Sequence, residues 1–392
     1  MEFIPDFSLH TISSGEGPNT GIALIHHPSF LRPVIVVSCG QHDVSSCYMQ
    51  FPVEGSEYDF GEMIPLCTGS FTAVSVVDDL VLFCGGSGSA GKTQSKIYRI
   101  IFKDKNAECI WTDSDNTHSI RNGSFVRGLR DFVLVGQSNS CEKCANTSYY
   151  RTSFESANDK WTLDWTYNFP NPNGPFSVGV SSTPETVLVG NRIDWSNYTK
   201  NSSPAIPSFV RYRNSDVELI PTNMQTVACF VGKLIPDGYG RDGEDYVFIG
   251  GGEAGIRAQS FMLSPVTAAA GADRCSSWTR RTQLGPLMDG RNLCVFDVSG
   301  NGLQDIFIVC VNDPHLLLLQ TMPGVFEEHF IPNTFADSVG EARGVAVGRI
   351  FGRENSVEIV VTNAKSSTDE CKPALYHQVY SFPFPMKRTM SS

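Results

Sequence analysis

Seven short apolar runs recur along the 392-residue chain, each ending in a small or polar turn. They are VIVV at Val34, LVLF at Leu80, FVLV at Phe132, TVLV at Thr186, YVFI at Tyr246, IFIV at Ile306 and EIVV at Glu358, spaced 46, 52, 54, 60, 60 and 52 residues apart. Short continuous runs of this kind read as strands buried on both faces. Each is preceded by another strand candidate: GIALI, FTAVSVV, SFVRGL, FSVGV, VACFVG, LCVFDV and GVAVGR. Each is followed by a third: CYMQFPV, KIYRIIF, SYYRTSF, SFVRYR, QSFMLS, LLLLQT and LYHQVYSF. A fourth comes next, as in YDFGEMI, WTLDWTY or FEEHFIP. Four strands per repeat at such a period is the pattern of a propeller blade. No 3.6-residue apolar period persists, so a helical solenoid is disfavoured.

The expected fold is therefore all-β: a seven-bladed β-propeller of four-stranded blades, forming a single domain. The blades are expected at about 21–68, 71–117, 124–170, 175–222, 226–284, 291–335 and 342–384. The last unit lacks a fourth strand. Phe7-x-x-His10-x-Ile12 repeats the pattern Phe326-x-x-His329-x-Ile331 of the sixth unit's fourth strand. Residues 3–13 are thus expected to close the last blade and remove an exposed sheet edge.

Thirty-five glycines, 11% aromatics and only 18% charged residues suit a turn-rich β protein. Net charge is −11 and no Lys/Arg cluster occurs, which excludes nucleic acid as a partner. No apolar run is long enough for a membrane span. The segment Met1–His10 lacks the basic start and apolar core of a signal peptide. Twelve cysteines and the sequons at Asn122, Asn146, Asn197 and Asn201 point the other way, to a glycoprotein of an oxidising compartment. The sequence leaves both compartments open, and the oligomeric state with them.

One loop carries metal-ligand spacing. In CVFDVSGNGLQDIFIVC (Cys294–Cys310), Asp297, Ser299, Asn301, the Leu303 carbonyl and Asp305 fall at positions 1, 3, 5, 7 and 9, with Gly302 at 6. Alternate side chains and one carbonyl in that order can wrap a hard cation. The alternative is a hairpin held by Asx-type hydrogen bonds. The fifth unit, Asp237–Asp245 (DGYGRDGED), keeps acids and glycines with the spacing displaced by about one residue. This loop between two buried strands resembles the loop of integrin-type FG-GAP (VCBS) propeller repeats. The resemblance implies a structural Ca²⁺ on the face opposite the ligand, and no organic cofactor is expected.

Three further motifs have structural readings. Gly86–Thr93 (GSGSAGKT) matches a phosphate-binding loop letter for letter, but such a loop must open a helix. Here QSKIYRIIF follows, which aligns with the third strands. Cys141-x-x-Cys144 has no second pair at zinc spacing, so a local disulfide or free thiols are expected. Cys39, Cys84, Cys310, Cys229 and Cys294 fall in strands and read as core, and Cys47–Cys67 is a candidate bridge.

No G-x-S-x-G or H-E-x-x-H is present, and no nucleophile–base pair is visible. In a propeller one face is built from fourth-to-first and second-to-third connections. Here those connections are long and chemically varied. They supply His42 and His315 between second and third strands, and Trp195 in GNRIDWSNYTKNSSPA. The fourth-to-first connections add Arg121, Asn122, Phe125, Phe176, Arg291, Asn292, Glu341 and Arg343. A concave mouth with aromatics and a few convergent polar groups suits a small-molecule ligand.

In size, single-propeller layout and degenerate repeats, the chain resembles fungal hetero-Diels–Alderases of tropolone-sesquiterpenoid pathways. That resemblance implies a secondary-metabolite enzyme without an acid–base triad, joining a tropolone quinone methide to a humulene-type alkene. Arg291, Arg343, Asn292 or His42 would polarise the tropolone oxygens. Trp195, Phe176 and Phe125 would wall the apolar partner, with Arg121 and His315 completing the substrate site. Two alternatives stand beside it: a lectin-type propeller that binds sugars without turnover, and a protein-interaction scaffold. The inter-strand loops differ from blade to blade, which favours one central site over repeated sugar pockets.

Overall fold

A computed structural model describes residues 6–28, 30–39, 46–68, 71–78, 81–86, 96–112, 118–125, 131–138, 147–155, 160–169, 175–180, 187–191, 208–213, 216–222, 224–236, 243–251, 257–265, 278–334, 341–363 and 376–383, less 14–18. These residues form 28 strands in seven antiparallel sheets of four. The first strand is β1 (Ser8–Ser13). Blade 1 holds β2 (Asn19–Ile25), β3 (Val34–Cys39), β4 (Ser46–Gln50) and β5 (Ile64–Thr68). Blade 2 holds β6 (Phe71–Asp78), β7 (Val81–Gly86), β8 (Lys96–Ile101) and β9 (Asn106–Thr112). Blade 3 holds β10 (His118–Phe125), β11 (Asp131–Ser138), β12 (Thr147–Glu155) and β13 (Lys160–Phe169). Blade 4 holds β14 (Pro175–Val180), β15 (Val187–Asn191), β16 (Ser208–Arg213) and β17 (Asp216–Pro221). Blade 5 holds β18 (Thr226–Gly232), β19 (Asp245–Gly250), β20 (Ala258–Pro265) and β21 (Trp278–Met288). Blade 6 holds β22 (Gly290–Phe296), β23 (Asp305–Cys310), β24 (His315–Met322) and β25 (Val325–Ile331). Blade 7 holds β26 (Ala342–Gly348), β27 (Ser356–Asn363) and β28 (Tyr376–Pro383), with β1 as its fourth strand.

The first strands close a ring. Strand β2 touches β6, β6 touches β10, and the order continues through β14, β18, β22 and β26 back to β2. The apolar runs explain why. In β3, Val34, Ile35, Val36 and Val37 are all fully buried. Val34 and Val36 pack with Val74, Tyr98 and Ile100 of blade 2, while Ile35 and Val37 pack with Val360 and Val379 of blade 7. A sheet standing radially has a neighbour on each face, so its central strands lose the usual alternation. The core therefore lies in the seams between blades.

The N-terminal strand makes the closure expected of it. Strand β1 pairs antiparallel with β28 from Ser8↔Ser381 to Ser13↔Tyr376. Ile12 is buried with Ile350, Phe351 and Val379. The seam is riveted outside the sheet as well. Buried Arg32 donates from Nε to the Ile350 carbonyl (3.1 Å) and from Nη1 to the Ser56 and Asp59 carbonyls (2.8 and 3.0 Å). Three loops from blades 1 and 7 are tied by one guanidinium.

Two strand readings need correction, while the strand read after Gly86–Thr93 agrees with β8. The first strand of blade 3 is β10, not SFVRGL, because its polar residues HSIRNG lack the apolar run by which a strand is recognised. The fourth strand of blade 1 is β5, while Tyr58 lies in a turn closed by a Pro52–Phe60 bridge. Strand β8 begins at Lys96, so no helix follows the Gly86–Thr93 motif; residues 87–95 lie outside the described set. Cys310 and Cys229 are buried as read, Cys294 is half-buried, and Cys47 stands opposite Cys67 in register. Cys141 and Cys144 lie outside the described residues.

Candidate functional site

The backbone repeats one irregularity in all seven blades. Near its start each first strand carries a β-bulge against the end of the second strand. The register steps from Asn19 to Gly21, Phe71 to Ala73, Ile120 to Asn122, Pro175 to Ser177, Thr226 to Ala228, Gly290 to Asn292 and Ala342 to Val345. The residues at the bulge are Thr20, Thr72, Arg121, Phe176, Val227, Arg291 and, in blade 7, Arg343 with Gly344. Bulges re-aim a side chain and increase the local twist, and they favour barrel rims and active sites.

Four sequence candidates thus share one structural position. Arg121, Phe176, Arg291 and Arg343 are not in connections, as the spacing suggested, but within the inner strands β10, β14, β22 and β26. Asn122 and Asn292 each follow the bulge directly. A bulged strand end looks like a loop in sequence because its polar residues break the apolar run. The signal was present in the aligned unit starts, where T-G, T-A, R-N, F-S, V-A, R-N and R-G occupy one column.

On the described blades the site can be built atom by atom. Arg291 and Arg343 are half-buried. Asn292 donates from Nδ2 to the Arg343 carbonyl at 3.2 Å, joining blades 6 and 7. Arg343 donates from Nε and Nη2 to one Glu341 oxygen at 3.1 and 2.7 Å. The Glu341 backbone N–H is held in turn by Asn363 Oδ1 at 3.1 Å. The guanidinium is therefore fixed edge-on by a carboxylate, which orients its remaining donors. Val227, the blade 5 counterpart, is buried in the core instead.

Next to these residues a second polar group shapes the loops. Buried Asp289 accepts from the Asn312 N–H and Nδ2 at 2.9 and 2.7 Å, and from the Asp313 N–H at 3.2 Å. Burial pushes its carboxyl up, and the Asn312 and Asp313 donors oppose that. Asn333 Nδ2 donates to the carbonyls of Cys310, Val311 and Asp313. Asp313 pairs with Arg257 of blade 5.

His315 departs from its expected place. It is the first residue of β24, fully buried, with Nδ1 accepting the Cys310 N–H at 3.2 Å and its ring edge-on to Phe307 and Tyr380. Burial pushes its pKa down to about 3, so the ring is neutral and packed between blades 6 and 7 rather than set at the mouth. His42 and Trp195 lie outside the described residues, as do the side chains of Arg121, Phe125 and Phe176.

At the other end of the blades the acidic loop is held by hydrogen bonds. Asp297 accepts from the Ser299 hydroxyl and the N–H groups of Gly300, Asn301 and Gly302. Asp305 accepts from the N–H groups of Val298 and Ser299 through Oδ2 and from that of Gln320 through Oδ1. Leu303 donates its N–H to Asn301 Oδ1. Burial pushes Asp305 up to about 6 against the pull of those three donors. Both carboxylates accept backbone N–H groups of the loop, the Asx-type hydrogen bonding that was the alternative to a bound cation. Among the described residues no cluster of three or more His, Cys, Asp and Glu suited to a metal occurs.

The fifth unit repeats this arrangement in register. Asp245 stands opposite Gly232 as Asp305 stands opposite Phe296. It accepts from the N–H groups of Leu234 and Ile235 at 3.0 and 2.9 Å and from Ser264 Oγ at 2.6 Å. The loop of unit five is longer, so the position the two units share is the terminal acid; residues 237–242 lie outside the described residues.

The chain is a β-propeller. Among solved structures it is similar to BBS1N in the crystal structure of BBS1N in complex with ARL6DN, soaked with mercury. The TM-score is 0.58 at 10% identity, over 98% of this chain and 99% of that chain, and the likeness is one of fold. No family model and no curated protein matches the sequence. No helix among the described residues is long and apolar enough to cross a membrane.

Proposed function

We propose that the chain is a small-molecule-binding propeller whose ligand sits at the ring of bulges. It acts as a cofactor-independent pericyclase, joining a tropolone quinone methide to a sesquiterpene alkene by hetero-Diels–Alder cyclisation. The carrying observation is that three of the seven equivalent bulge positions hold arginine, two of them half-buried and one fixed by Glu341. Arginine at three equivalent positions of the ring suits an oxygen-rich planar ligand. Arginine donors aimed at the carbonyl oxygens stabilise the charge that builds there as the new bonds form. Holding both reactants at one mouth lowers the entropic part of the barrier. No proton transfer is required, which agrees with the lack of a nucleophile–base pair among the described residues.

The test is direct. The quinone methide is generated in solution beside a humulene-type alkene, with and without the protein. A faster reaction giving one stereoisomer supports the reading. The product mixture of buffer alone, unchanged by protein, overturns it.

A second reading is a docking platform for another protein. It is supported by the likeness to BBS1N, which was crystallised in complex with ARL6DN. Stable co-purification of one protein partner, lost in Arg291→Glu, would favour it.

A further inference from the structure

Blade 7 repeats the acid position of blades 5 and 6 without repeating its hydrogen bonds. Glu358 stands opposite Gly348 in β26, as Asp245 stands opposite Gly232 and Asp305 opposite Phe296. In each blade the bulge follows along the second strand at the same level, so the three carboxylates are equivalent. All three are buried, with exposures of 2, 0 and 0% for Asp245, Asp305 and Glu358.

Their partners differ. Asp245 and Asp305 each receive three donors, two of them N–H groups of their own blade's first connection, and both oxygens are used. Glu358 is longer by one methylene. Its Oε1 accepts from Ser356 Oγ and from Ser381 Oγ at 3.2 Å, and its Oε2, wholly buried, has no partner among the described residues. A buried carboxylate oxygen without a donor is destabilising, and an ion or water is the usual resolution.

We infer that Glu358 binds a monovalent alkali cation, with the buried Ser356 and Ser381 hydroxyls as neighbouring oxygen donors. Carboxylate and hydroxyl oxygens are hard donors suited to such an ion. One carboxylate carries one charge, so sodium or potassium neutralises it. A divalent ion would leave a buried net positive charge. Ser381 lies opposite Ser8 of β1 in register. The ion therefore sits in the blade that the N-terminal strand closes, and it ties the closure to the salt present. This inference is independent of the ligand proposed at the mouth.

The experiment is thermal melting at constant ionic strength in sodium, potassium and choline chloride, with calcium chloride as a fourth arm. The proteins are wild type, Glu358→Gln and Ser381→Ala. A saturable rise of about 2–5 °C over choline is expected in sodium or potassium. Glu358→Gln should lose that rise, and Ser381→Ala should need several-fold more salt to reach it. Equal melting in sodium, potassium and choline overturns the site, as does a rise that survives in Glu358→Gln. If Glu358→Gln does not fold, an unchanged salt midpoint in Ser381→Ala overturns it. A Glu358-dependent response to calcium below the sodium range overturns the monovalent assignment.

Discussion

The two ends of strand β22 teach different lessons from the same repeat. At one end Asp305 and its equivalent Asp245 keep one residue type, full burial and the same pair of N–H donors. At the other end the bulge is kept in the backbone of all seven blades, while the side chain runs through Thr, Thr, Arg, Phe, Val, Arg and Arg. Repeated chemistry at a buried position is what packing demands. A repeated backbone with varied chemistry leaves room for a different role at each blade. The acid end holds blades 5 and 6 together, and the bulge end is where the proposed ligand would sit.

The largest effect expected lies at the clasp that both ends depend on. Deleting residues 1–13 leaves β28 as an open edge and uncovers the seam that Ile12 fills. Melting should fall on the order of 10 °C or more, or folding should fail. An unchanged melting temperature would remove the ring closure on which the equivalence of blades rests.

Next comes the acid end. Asp305→Ala strands three N–H groups, those of Val298 and Gln320 buried and that of Ser299 part-buried. The cost should be about 3–5 kcal/mol by urea unfolding. Asp245→Ala should behave alike. A loss below about 1 kcal/mol at either would mean that the acid end is not structural.

Acid sensitivity follows from the buried histidines. His377, like His315, is fully buried and held near a pKa of about 3, against 6.5 when free. The folded state keeps the ring neutral while the unfolded chain takes up a proton below 6.5. This group therefore leaves stability unchanged above that pH and lowers it as pH falls from 6.5 towards 3. The loss approaches about 1.4 kcal/mol per pH unit. His377→Leu should flatten the wild-type stability curve by that slope, read as urea midpoints across the window. Parallel curves would contradict it.

The smallest effect on stability is expected at the mouth. Arg291→Ala should change unfolding by no more than about 0.5 kcal/mol, because its half-exposed position lets water replace what it touches.

Much of the fold was legible because buried strands write continuous apolar runs. VIVV, IFIV and their counterparts mark second strands, and the Phe7/His10/Ile12 echo marked the closing strand. The bulges were not legible as strand. Polar residues such as Arg121 and Asn122 interrupt the run, so the inner strand reads as a connection. His315 was misplaced for a related reason: the pattern CVNDPH looks like loop, yet the chain turns at Asn312 and Asp313 and buries the histidine at once. The acid position of blade 7 was hidden by counting apolar letters. Aligning the two runs at their first letters sets EIVV against IFIV, whereas pairing with the first strand makes Glu358 the equivalent of Asp305.

The most direct measurement is cyclisation by the Arg291→Ala/Arg343→Ala double variant, set beside its melting temperature. The account predicts melting close to wild type, a rate reduced at least about tenfold, and loss of stereochemical preference. A double variant that melts like wild type and still delivers the same isomer at the same rate would contradict it.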